Sequence, residues 1–127
     1  MIHKPHSLLL FTCVAGILLS FSSLIKAEGD DASEYIAFYE EGDEECEKKG
    51  GTRIFVKNTH EKQIIDLHLD RYFYDVRQGG RSMFPLKPSS SQALGCSRVF
   101  DAEQRWDLVS ATFISEAGVK ERYGDIE

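Results

Sequence analysis

Asp66, His68 and Asp70 fall at every second position of one strand-like run. On a β-strand that spacing sets three side chains on one face. Two carboxylates flanking an imidazole form a ligand set for a divalent metal, or a base held in place by its neighbours. The same spacing arises on any half-exposed strand with a solvated polar face, and that is the simpler expectation.

A second source of chemistry is charge. Residues 28–47 carry 10 acidic side chains and no lysine or arginine, whereas residues 48–127 carry 11 acidic and 13 basic ones. An acidic arm on a nearly neutral body creates a field that draws in a cationic partner and speeds association. Glu40, Glu41, Asp43, Glu44 and Glu45 are the candidate contact residues. The plainer alternative is a solvated leader that aids solubility. The arm has no D-x-D-x-D-G calcium loop despite its carboxylates.

Cysteine chemistry is narrower. Cys13 lies in an apolar stretch near the N-terminus, which leaves Cys46 and Cys96 in the rest of the chain. An isolated pair in an oxidising compartment is expected to bond. The bridge closes a loop of about 50 residues, worth about 4 kcal/mol in the chain-entropy model. The pair lacks a C-x-x-C spacing and further ligands for a metal.

Other chemistries find no support. No serine sits in G-x-S-x-G, and neither Gly50-Gly51 nor Gly79-Gly80 is followed by the Lys-Ser/Thr of a phosphate loop. A nucleic-acid binder needs a dominant basic face, which this charge layout lacks. No residue is therefore assigned a catalytic role, no cofactor is implied and an enzyme is not expected.

These residues must be positioned by a small body. Residues 1–27 read as a secretory signal: His3 and Lys4, then a largely apolar run from Leu8 to Leu19, then Ala27 before an abruptly acidic stretch. The run is shorter than the roughly 20 residues of a spanning helix. Cleavage after Ala27 removes two of the 15 basic residues and none of the 21 acidic ones, so the net charge moves from −6 to −8. The expected product is periplasmic or extracellular, with no membrane span. Its 100 residues make one domain, with a core but not a deep one.

Along that product, residues 28–49 form the acidic arm, with Tyr35, Ile36, Phe38 and Tyr39 as an apolar island that docks on the body. Residues 50–115 are the β-domain. Strand signals cover Thr52 to Lys57, Gln63 to Val76, Arg81 to Leu86, Gln92 to Val99 and Arg105 to Ser115. A change of period predicts a bulge near Asp70-Arg71, and Gln78-Gly79-Gly80 reads as a hairpin tip. Trp106 is expected to cap the core. Residues 116–127 read as a charged tail with room for a helical turn. The fold expected is mostly β: a small antiparallel β-sandwich or half-barrel of about 5–7 strands with an acidic N-terminal arm.

Three function classes stay open. The first is a non-catalytic protein-binding module, such as an inhibitor or immunity protein against a basic protein partner. The second is a small extracytoplasmic hydrolase or metal-binding protein using Asp66, His68 and Asp70. The third is an envelope-accessory structural domain.

Overall fold

The computed structural model describes residues 31–125, so the expected export signal lies outside the described residues. The chain opens with a 3-10 turn, Ala32–Tyr35, whose start is fixed by the Asp31 carboxylate accepting from the Ser33 amide. Strand β1, Ile36–Glu41, follows directly. Its IAFYEE sequence supplies aromatic and β-branched residues that favour an extended chain. Asp43 then caps the short helix α1, Glu44–Lys48, by accepting from the Cys46 amide.

The remaining elements are β2 (Arg53–Asn58), β3 (Ile64–Phe73), β4 (Val76–Arg77), β5 (Ser82–Leu86), β6 (Ser91–Cys96), β7 (Arg98–Val99), β8 (Ala102–Ile114) and helix α2 (Glu116–Tyr123). They form two antiparallel sheets. One has three strands in the order β1-β2-β6; the other has five, in the order β4-β3-β8-β7 with β5 also paired to β3. The fold is thus mostly β, and its two sheets share one core.

Strand β1 comes from within the acidic stretch. It pairs with β2 along its whole length, from Ile36 opposite Asn58 to Glu41 opposite Arg53. The C-terminal stretch holds a helix of eight residues, α2, rather than a single turn. The strand expected over Gln92 to Val99 divides at Ser97, so that β6 pairs with β2 in one sheet and β7 pairs with β8 in the other.

Alternation explains the core. Ile65, Leu67 and Leu69 are fully buried on one face of β3, joined by Val56, Leu86 and Ala32. Tyr35, Leu94, Trp106, Leu108 and Phe113 pack around them. The Trp106 ring lies so close to β6 that a Cβ on Gly95 would sit 2.7 Å from it, so only glycine fits there. Buried Asn58 joins the layers: its amide donates to the carbonyls of Gln63 and Leu86, and its oxygen accepts from the His60 amide.

Two local expectations need correction. The bulge lies opposite His68 and Leu69: His68 faces Ser110 and Leu69 faces Leu108, so Val109 of β8 is the extra residue. Strand β3 itself keeps a strict period of two. The apparent change of period arises because Tyr72 belongs to the outer face, where the Arg105 guanidinium lies 4.2 Å from its ring centre. The hairpin tip is Tyr74-Asp75, since Phe73 pairs with Val76. Both tip residues hold positive φ, 54° and 59°, a conformation usually left to Asn-Gly. Anchors from β8 offset that cost: Arg105 donates to Asp75 at 2.7 Å, and the Tyr74 amide donates to the Glu103 carbonyl.

Candidate functional site

The carboxylates fall into two regions. On the outer face of the five-stranded sheet, strand periodicity brings Asp66, His68 and Asp70 to one side, as their spacing predicts. The face is not simply solvated: Asp66 is 1% exposed and Asp70 8%. Each is closed by cations. Asp66 accepts from the Arg122 guanidinium and the Tyr123 hydroxyl, both on α2, and its other neighbour is the His68 Nε2 at 3.6 Å. Asp70 is gripped by Arg77 and Arg81, whose Nε atoms each lie 3.0 Å from a carboxylate oxygen. These two arginines hold the Asp70 carboxyl down at about 2. Burial, and then the Asp66 carboxylate, pushes the Tyr123 phenol up to about 12.

This arrangement separates the trio. Asp66 and His68 stay together, while Asp70 turns to the β4–β5 segment. Among the described residues, no three His, Cys, Asp or Glu side chains converge as a metal site. The partners Arg122 and Tyr123 were not legible in the sequence as functional residues, because they lie 56 and 57 residues from Asp66 in a stretch with no apolar pattern.

The second region is the acidic edge. Asp43 accepts from Arg53 Nε at 2.9 Å and also caps α1, so its charge is taken up within the fold and its carboxyl lies below the ordinary range. Glu45 shares Arg53 at 3.1 Å and Lys49 at 3.5 Å. Glu40 accepts from the Thr52 hydroxyl. Among the described residues Glu44 pairs with exposed Lys48 at 3.6 Å, and Glu41 is exposed at the end of β1. The Cys46–Cys96 disulfide joins α1 to the end of β6, across a sequence separation of 50. The acidic residues are therefore mounted on the body by a covalent bond and a strand ladder.

Among the described residues, one side of the β1 backbone has no partner strand. Thr59 donates to the Tyr35 carbonyl, and Asn58 donates away from β1, to Ser90 beyond β2. In an antiparallel ladder, bonded and non-bonded pairs alternate. Tyr35, Ala37, Tyr39 and Glu41 therefore bond to β2, while the amide and carbonyl groups of Phe38 and Glu40 turn outward. Both residues are exposed, Phe38 at 40%. Their side chains share a face with Ile54 and Val56, and beside them opens a cleft of about 370 Å³ bordered by Phe38, Glu40, Ile54, Ser97 and Trp106.

A larger groove, about 660 Å³, lies between α2 and the start of β3. Ile64, Ile114 and Val119 line it with Lys62, Lys87 and Lys120, but no histidine or cysteine does. Among the described residues, no helix is long and apolar enough to cross a membrane. Comparison with protein-family models, curated proteins and solved structures returned no match.

Proposed function

We propose that the protein is an exported, non-catalytic binding module for a cationic protein, in the manner of an inhibitor or immunity protein. The observation that carries this reading is the acidic edge. Residues 40–47 hold six acidic side chains and no lysine or arginine, and β1, α1 and the Cys46–Cys96 bond mount them on the body. Charges displayed in this way steer encounter and select against like-charged partners. The hydrolase or metal reading has less support, because arginines already occupy both of its carboxylates.

Capture from the exported protein fraction tests the proposal. The disulfide-bonded protein is run beside a Glu41→Gln, Glu44→Gln, Glu47→Gln variant. Basic proteins should be retained by the first, released by salt and lost with the variant. A captured set that is the same for both proteins and indifferent to salt would overturn it.

A further inference from the structure

We infer that the partner binds as an added β-strand along β1, and that this strand carries lysine or arginine at alternate positions. The inference rests on the reading of the protein as a binder of a cationic protein and specifies how that binding occurs.

The edges of the two sheets are not equivalent. Strands β4 and β7 have two residues each, β5 carries Pro85, and β8 is broken by its Val109 bulge. Short length, proline, bulges and charged side chains protect an edge from further pairing, and β1 carries only the last, at Glu40 and Glu41, a charge that a cationic strand satisfies. Strand β6 has its own interruption, a register shift opposite Ile54 and Phe55. Strand β1 has six residues in unbroken register, with no proline, glycine or lysine. Its outward amides and carbonyls at Phe38 and Glu40 offer two bonded pairs to an antiparallel neighbour.

Side-chain geometry then selects the neighbour. Residues of the incoming strand opposite Phe38 and Glu40 project toward the same face, which is the cleft between the sheets. Phe38 and Trp106 offer apolar rings there and Glu40 offers the carboxylate, while Arg105, which also borders the cleft, directs its guanidinium to Tyr72 and Asp75. A lysine or arginine matches both, with its aliphatic stem on the rings and its charged head at Glu40. Alternate residues project to the opposite face, beside Ala37 and Tyr39, where the Tyr39 ring stacks on Phe55 at 5.1 Å. Apolar side chains suit that face. Beyond Glu40, the carboxylates of Glu41 and Glu44 extend the attraction.

A capped octapeptide of alternating lysine and valine is the probe, with the whole disulfide-bonded protein as receptor. Binding is followed by Trp106 fluorescence and by amide resonances. Replacing lysine with glutamine should weaken binding at least tenfold. N-methylation of the lysine amides should weaken it as strongly, because those amides form the bonds to β1. N-methylation of the valine amides should change it little. The Phe38 and Glu40 amides should exchange more slowly in the complex. Equal tolerance of both N-methyl sets, or unaltered Phe38 and Glu40 amides, overturns strand addition. If the lysine-to-glutamine effect persists in that case, the cationic-partner reading survives without it. Absence of binding by the lysine peptide at millimolar concentration also overturns the inference.

Discussion

The outer face of the larger sheet and the β1–α1 edge are both rich in carboxylates, yet they use them in opposite ways. Asp66 and Asp70 are buried, Asp66 meeting Arg122 from α2 and Asp70 meeting Arg77 and Arg81 from the β4–β5 segment. Glu41 and Glu44 are exposed, and among the described residues they have a weak side-chain partner or none. A buried charge must be paired to be tolerated, and once paired it holds structure together. An exposed charge contributes little to stability but remains free to act on an approaching molecule. Asp43 shows that position in the sequence does not decide the outcome. It lies among the acidic residues, yet Arg53 and the Cys46 amide engage it within the fold.

The strongest way to break the contrast is to detach the acidic edge from the body. Replacing Cys46 and Cys96 with alanine removes a link across 50 residues. The expected loss of stability is about 4 kcal/mol by loop entropy. Urea denaturation of the double variant measures it, and hydrogen exchange should show α1 opening before the larger sheet.

The next largest effect should come from Asp66→Ala. It leaves the Tyr123 hydroxyl and Arg122 without their buried acceptor, at a cost of about 1–3 kcal/mol. Helix α2 has no fully buried residue of its own, and these polar bonds tie it to the outer face of β3. Faster amide exchange confined to residues 116–123 is the expected signature, and unchanged protection there would show that something else holds the helix.

Acid sharpens the comparison further. The Asp70 carboxyl titrates at about 2 in the folded chain against an ordinary value of 3.8. A depressed value means the carboxylate supports the fold above about pH 4, and this support is lost as pH falls toward 2. Denaturation midpoints measured from pH 6 to pH 2 should therefore fall less steeply in Asp70→Asn than in the unmodified chain. The alkaline side has the opposite sign. The Tyr123 phenol is pushed up to about 12 from 10.0, so its neutral form belongs to the fold. Its contribution is present below pH 10 and lost between pH 10 and 12. Tyr123→Phe should remove that slope, together with the last step of the phenolic absorbance titration.

The sequence made some of these features legible and hid others for identifiable reasons. The antiparallel β-class, the pairing of Cys46 with Cys96 and the shared face of Asp66, His68 and Asp70 all follow from period-two patterning and cysteine count. The hairpin tip does not, because Tyr74 and Asp75 adopt positive φ with the help of bonds to Glu103 and from Arg105, contacts about 30 residues away that no local rule contains. The Val109 bulge is hidden because β3, where the pattern changes, stays regular, and the extra residue belongs to its neighbour. Strand β1 was obscured by its charge. Ile36 to Tyr39 shows as an apolar island, but the glutamates beside it suggest an arm rather than the edge of a sheet. Its outward groups at Phe38 and Glu40 emerge only once the register with β2 is known.

The smallest effect on stability should be the most informative about function. Glu41 makes no side-chain hydrogen bond among the described residues, and Glu44 meets Lys48 at 3.6 Å with both side chains exposed. The double variant Glu41→Gln, Glu44→Gln should therefore shift stability by no more than about 0.5 kcal/mol per site. Its association with a cationic partner should nevertheless slow several-fold at low salt and converge with that of the unmodified chain at high salt, because rim charges act chiefly on the encounter rate. Stopped-flow association at two ionic strengths measures this directly. A rate that fell equally at both would place these carboxylates in direct contact with the partner instead of in its approach path. A rate unchanged at both would reduce the acidic edge to a solubility device and leave the free backbone of β1 as the remaining means of recognition.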